Sequence, residues 1–314
     1  MTQPAASIVA QAKLNLHLTV LSREESGFHY IETVFHRIDL GDIISVHVTS
    51  GERSIDVEGA DVGAAESNLA YRAAVAYAAR AGWPRGFRIE LDKRIPVGAG
   101  LGGGSADAAA VLRTLDILAP LPMGSHALTE IAASLGSDVP FLASDAVMAL
   151  GWGRGERLFA LPALPRRDIL LMTPDFSVPT GRAYSWLDED RNDIPIAAGA
   201  DSTANRGGWP VIPPPDYDTA VFIGRPNLLT WKGLDGWAKN DFEPVIVARY
   251  PELAAMLQRL RNSRAEFSGM TGSGSTIFGI LDGPVDFARV PPEHRPRVRS
   301  TTSAIDVVQP LRIE

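Results

Sequence analysis

The stretch Lys93-Arg94-Ile95-Pro96-Val97-Gly98-Ala99-Gly100-Leu101-Gly102-Gly103-Gly104-Ser105-Ala106-Asp107 separates an alternating segment, Phe87 to Leu91, from an Ala-rich one, Ala106 to Leu118. Alternation over five residues reads as a strand, and the Ala-rich run as a helix, so the glycines occupy a strand-to-helix connection rather than a linker. Five of the seven residues from Gly98 to Gly104 are Gly. Without Cβ atoms, backbone N–H groups can crowd around an anion, and the following helix adds its positive end. The guest this points to is a phosphate group. No Lys follows any of these glycines, which removes the G-x-x-x-x-G-K-[ST] phosphate loop. Gly98, Gly100 and Gly103 do satisfy G-x-G-x-x-G, but a dinucleotide fold needs a strand after the helix with an acidic residue at its end. Here a loop and another helix, Ala127 to Leu135, follow, and Asp116 lies inside the first helix.

Upstream, Ile8 to Val20 alternates strictly: Leu14, Leu16 and Leu18 share one face, and Lys13, Asn15 and His17 the other. This predicts a half-buried strand. Tyr30 to Ile38 and Asp42 to Val48 read as two further strands, with Gly41-Asp42 as a turn. A helix is expected from Ser67-Asn68 to Arg80, stopped at Gly82 with Pro84 beyond. Downstream, Val147 to Leu150 and Ile169 to Thr173 read as strands, and Pro251 to Arg261 as a helix with Pro at its first position. A strand pair is expected around Ser268 to Phe278. Strands and helices do not alternate regularly, so the class is α+β. The chain of 314 residues is long enough for two domains, placed at 1–165 and 166–314. Asp188 to Pro226, rich in Asp, Asn, Gly and Pro, reads as a surface insertion in the second.

Composition removes several functions. With no Cys, thiolate nucleophiles, disulfides and Cys-ligated metals are excluded. A net charge of −7 without a Lys/Arg run argues against a nucleic-acid surface. No window approaches the apolar length of a membrane span, and the start of the chain lacks a leader pattern, pointing to a cytoplasmic protein. Six scattered His form no H-E-x-x-H pair.

Phosphoryl transfer to an alcohol needs a carboxylate to take the proton and a cation to hold both that carboxylate and the migrating group. Lys13 on the first strand and Asp138, in Gly136-Ser137-Asp138-Val139-Pro140, are candidates for that pair. Taken singly, each is more simply a solvated strand charge and a turn residue, and Gly269 to Ser275 a plain turn. Together with the glycine loop, their order and spacing resemble the GHMP kinase superfamily, the galacto-, homoserine, mevalonate and phosphomevalonate kinases. The superfamily resemblance rests on Ala12-Lys13-Leu14-Asn15-Leu16, Pro96 to Ser105 and Gly269 to Ser275, and a closer match within it on Ala12 to Leu18, Gly27-Phe28-His29-Tyr30 through Phe35, Gly136 to Phe141 and Asn240-Asp241-Phe242-Glu243-Pro244. It covers most of the chain apart from the insertion and the last ~30 residues.

The resemblance implies a two-domain fold, an N-terminal α+β domain and a C-terminal ferredoxin-like one, with the active site in the cleft between them. It implies ATP as co-substrate, with Mg²⁺ expected and its ligands unassigned. Within the superfamily the match is to kinases of a cytidine diphosphate-linked polyol. By that match Asp138 is the general base and Lys13 its charge partner. Asn15 and Thr180 hold the acceptor, while Phe28, His29 and Tyr184 clasp the cytosine. Pro96, Gly98, Gly100, Leu101, Gly102, Gly103, Gly104 and Ser105 surround the triphosphate, and Asn68 and Lys93 lie near adenine and ribose. Phe28 stands where Tyr is commoner, and Ala106 replaces a frequent second Ser. A kinase for another alcohol, mevalonate or homoserine, and a nucleotide-binding regulator without chemistry stay open. Intact Lys13 and Asp138 argue against the regulator.

Overall fold

The computed structural model describes residues 3–192, 230–262, 265–283 and 298–313. Its core element is an antiparallel pair of very long strands, β1 (Ala5–Arg23) and β2 (His29–Thr49). The far edge of β2 is shared: its first half pairs with β5 (Met148–Gly153) and its second with β4 (Gly86–Asp92). β3 (Arg53–Glu58) lies parallel to β4, and β6 (Arg157–Leu161) continues from β5. β11 (Leu311–Ile313) returns from the end of the chain to pair with Ala5–Ser7, completing seven strands. The expected turn at Gly41-Asp42 is not one: β2 runs straight through it. The register jumps there from Gln11↔Gly41 to Lys13↔Arg37, a bulge that turns two expected strands into one bent strand. β3, which is mostly polar, and β6, which is only five residues long and mostly exposed, were not legible in the sequence.

Helix α1 (Leu69–Ala81) begins at Asn68, whose side chain accepts from the Ala70 N–H, and stops at Gly82 at a φ of 66°. Helix α2 (Gly103–Leu118) buries Ala106, Ala108, Ala109 and Ala110, together with Val111 and Leu112. Small side chains let the sheet and the neighbouring helices approach it from several sides. α3 (Ser125–Leu135) and the short α4 (Val139–Ala143), with Pro140 in its first turn, complete this layer.

A second sheet of four antiparallel strands has the order β10 (Val298–Thr302), β7 (Asp168–Met172), β9 (Ile277–Leu281), β8 (Ala265–Met270). In chain order that is fourth, first, third, second, the ferredoxin-like arrangement. One of its faces packs Leu170, Met172 and Ile277 against Ala183 and Leu187 of α5 (Thr180–Asn192), Val245 and Ile246 of α7 (Phe242–Arg249), and Leu253 and Leu257 of α8 (Pro251–Arg261). The other face carries Ile169, Leu171, Phe278 and Ile280 into the main core, with Trp231 and Leu234 of α6 (Trp231–Leu234). The polar face of β1 is thereby covered as well: Lys13, Asn15 and His17 are all buried. The expectation of a half-buried strand therefore fails, because the glycine loop and the second lobe together cover the face that alternation marks as polar. From residue 193 on, the stretch read as an insertion lies outside the described residues. No helix among them is long and apolar enough to cross a membrane.

Candidate active site

The site is assembled from four backbone segments that meet around Lys13. Its Nζ donates to Asn15 Oδ1 at 2.6 Å and to the Gly100 carbonyl at 3.0 Å, and lies 3.2 Å from Asp138 Oδ2. The Lys13 side chain is 3% exposed and that of Asp138 28%, so the ammonium faces inward and the carboxylate is partly open to solvent. Asp138 comes from the residue preceding α4. The glycine loop reaches the pair through the Lys13 N–H, which donates to the Leu101 carbonyl at 3.0 Å. At Gly102, with a φ of 72°, a Cβ would stand 2.9 Å from Lys13 Cε. Glycine is required there because the lysine stem passes directly beneath the loop. The first-turn N–H groups of Gly103, Gly104 and Ser105 follow at the start of α2, where no preceding carbonyl pairs them.

The loop rests on the Thr271–Thr276 turn. A Cβ at Gly100 would lie 2.4 Å from the Thr271 carbonyl oxygen, and the Thr276 N–H donates to the Ala99 carbonyl at 3.2 Å. Thr271 Oγ1 in turn accepts from the Asn15 N–H at 3.0 Å. Asn240 shapes this turn from behind, its amide donating to the carbonyls of Met270 and Gly272 at 2.7 and 2.8 Å.

Lys93 lies under the loop, its side chain 4% exposed, with Nζ 2.5 Å from Asp42 Oδ2 and 2.8 Å from Asp107 Oδ2. Asp42 Oδ1 also accepts from the N–H groups of Arg94 and Ile95. Asp107 Oδ1 is buried without a partner. Burial pushes the Asp107 carboxyl up to about 8, against the pull of Lys93. Burial works against the charge of Lys93, but the carboxylates beside it hold its ammonium above the ordinary lysine value. Burial thus favours the neutral form of Asp107 beside a cationic Lys93. Asn68, buried, spends its side chain on capping α1. Pro96 and the exposed Gly98 and Gly104 border the open side of the loop.

A group of three or more acidic or histidine side chains that could hold a metal ion is not found among the described residues. The described residues therefore offer no preassembled cage for the Mg²⁺ expected beside ATP.

The family models agree with this layout: GHMP kinases N terminal domain matches residues 68–146, and GHMP kinases C terminal matches 227–291. The 4-diphosphocytidyl-2-C-methyl-D-erythritol kinase of Moorella thermoacetica is 37% identical over 274 residues, 87% of this chain and 89% of that one. That of Pelotomaculum thermopropionicum is 38% identical over 87% of this chain and 88% of its own. The chain belongs to the 4-diphosphocytidyl-2-C-methyl-D-erythritol kinases. A crystal structure of 4-(cytidine 5'-diphospho)-2C-methyl-D-erythritol kinase superposes over 95% of this chain and 99% of its own, with a TM-score of 0.70 and 33% identity. Homoserine kinase from Cytophaga hutchinsonii, with a TM-score of 0.64 but 17% identity, shares the fold.

In this member of the diphosphocytidyl methylerythritol kinases, Tyr184 stacks on His29 at a centroid distance of 4.5 Å and 16° between planes. His29 Nε2 is 2.9 Å from Asp188 Oδ1. The Tyr184 hydroxyl is pushed up to about 12, by burial first and then by the carboxylates of Asp138 and Asp188. Phe28 is 56% exposed and carries the Arg154 guanidinium 4.1 Å over its ring. The two aromatics read as one clasp are therefore each stacked on a different neighbour. Thr180 Oγ1 lies 3.1 Å from Ser273 Oγ, joining α5 to the Thr271–Thr276 turn. Three residues of the site escaped the sequence reading: Thr33, which receives the Asn15 amide at 2.8 Å, Thr271 and Asp188. Nothing local distinguishes a Thr or an Asp with such a role, since each acts through a partner distant in the chain.

Proposed function

We propose that this kinase transfers the γ-phosphoryl group of ATP to the 2-hydroxyl of 4-diphosphocytidyl-2-C-methyl-D-erythritol, a step of non-mevalonate isoprenoid biosynthesis. The observation that carries this reading is the 3.2 Å pair of Lys13 and Asp138 at the mouth of the glycine loop. Asp138 takes the proton of the attacking hydroxyl as the oxygen bonds to phosphorus. Lys13, held by Asn15 and the Gly100 carbonyl, keeps that carboxylate in place. It also sets a positive charge beside the transferring group. The first turn of α2 and the N–H groups of the loop receive the phosphates, so positioning and electrostatics do most of the work. Lys93 supports the loop from below rather than from the nucleotide side, and Asn68 supports it by fixing the start of α1.

On the acceptor side we assign Asn15 and Thr180 to the polyol, and Phe28, His29 and Tyr184 to the cytosine. A pyrimidine stacked on an aromatic face gains about 1–3 kcal/mol, and a His beside it can read its polar edge. We divide the chain near residue 165. β6 ends the first sheet at Leu161 and β7 opens the second at Asp168, with β11 returning to the first.

The test is ADP release with Mg-ATP and the cytidyl substrate, run beside mevalonate, homoserine and galactose, with Asp138→Ala as the blank. Turnover confined to the cytidyl substrate, with kcat lowered at least about 10²-fold in Asp138→Ala and KM for ATP nearly unchanged, is the expected result. Turnover of another alcohol alone keeps the kinase and removes the cytosine assignment. Unchanged turnover in the variant removes Asp138 as the base.

A further inference from the structure

Phe28 is a large, exposed aromatic on the tight turn between β1 and β2. It borders a cavity of about 650 Å³ lined also by Glu24, Tyr30, Ser137 and Arg154. Ser137 directly precedes the base Asp138. Arg154 reaches into this cavity from the turn between β5 and β6, remote in sequence from Phe28. Its Nε and Nη2 grip the Glu24 carboxylate at 2.9 and 2.6 Å, and its flat face covers the Phe28 ring at 4.1 Å. Glu24 is braced again by the Ser26 hydroxyl at 2.7 Å, and its N–H donates to the Phe28 carbonyl at 2.7 Å. Arg154 beside it holds the Glu24 carboxyl down at about 2.

We propose that Arg154 is a positioning residue for the cytosine end of the substrate: gripped by Glu24, it covers one face of Phe28 and presents the other as a pre-oriented stacking platform. This rests on the cytidyl-substrate reading above. A guanidinium suits the task because its planar fork meets a carboxylate edge-on while its face stacks on an aromatic ring. With one face capped, a ring that is still 56% exposed has its other face free for a flat ligand. Fixing the ring beforehand removes rotamer entropy that would otherwise be lost on binding.

The test is a kinetic double-mutant cycle on the full chain. Arg154→Ala should raise KM for the cytidyl substrate about three- to tenfold while kcat and KM for ATP stay within about twofold. Arg154→Lys should behave as Arg154→Ala, because a point charge neither forks nor stacks. Phe28→Ala and Phe28→Ala/Arg154→Ala should have the same KM, since the arginine acts through the ring. An unchanged KM in Arg154→Ala, full rescue by Lys, or losses that multiply in the double variant would each overturn the proposal, the last by showing that Arg154 touches the substrate itself. If the wild type turns over no cytidyl substrate, the parent reading fails. The clamp is then judged by amide exchange: Arg154→Ala should speed exchange across residues 24–28, and unchanged exchange removes it.

Discussion

Lys93 is a buried cation between two carboxylates that are not equivalent. Asp42 receives three donors, from Lys93, Arg94 and Ile95, whereas Asp107 receives Lys93 on one oxygen and nothing on the other. Hydrogen-bond donors favour the charged form of a carboxyl group and burial without them favours the protonated form, the direction in which Asp107 is shifted. Asp107→Asn should therefore change stability by less than about 1 kcal/mol, while Asp42→Asn strands a buried cation and should destabilise by about 3–5 kcal/mol. Urea unfolding at pH 7 separates the two, and equal losses would refute the assignment. His17 and His36 are buried and both lowered from 6.5 to about 4, chiefly by loss of solvent. The unfolded chain takes up protons at these residues before the folded one does. Their stabilising effect is thus whole above pH 6.5 and disappears as pH falls toward 4, by at most about 3 kcal/mol each. Thermal unfolding between pH 7 and 4 should show this limb, and His17→Gln should flatten part of it.

Among the elements, the glycine loop and the Thr271–Thr276 turn form one unit built from two places in the chain. Gly100 has a φ of 80° and no room for a Cβ against the Thr271 carbonyl. Gly100→Ala should both strain the backbone and push the two segments apart, lowering stability by about 2 kcal/mol or more and raising KM for ATP several-fold. Asn68→Ala, at an ordinary helix start, should cost only about 1 kcal/mol and leave kcat alone. Denaturant titration with steady-state kinetics checks the contrast. The helix from Asn68 to Gly82, the loop before α2 and the proline-started α8 were all legible, because each carries its start or stop signal within a few residues. The bulge opposite Lys13 was not, since it depends on how β2 meets β1, and Gly41-Asp42 reads locally as a turn.

At the scale of the molecule, the two lobes meet across β1. Leu18 pairs with the segment Lys239–Asp241, and Asn15 with Thr271, so a strand of the first sheet is roofed by loops of the second lobe. The chain end closes the arrangement: β11 pairs with Ala5–Ser7, the Val308 N–H donates to Gln11 Oε1, and Arg113 donates to the Val308 carbonyl. Removing residues 306–314 should bare the edge of β1 and lower the melting temperature by several degrees, with kcat less affected than stability. An unchanged melting temperature would show that β11 adds nothing to the first sheet.

By itself the sequence determined the α+β class, a glycine-rich loop with its helix, and the residue types of an ATP-dependent alcohol kinase. Each of these is written in short-range spacing or in motifs. Only the tertiary structure decided that Lys13 is inward-facing, that Lys93 lies under the loop between Asp42 and Asp107, and that Tyr184 stacks on His29 while Phe28 lies under Arg154. These outcomes turn on which distant side chain fills a space or pairs a buried charge. Burial makes such pairings compulsory, yet leaves no periodic trace along the chain.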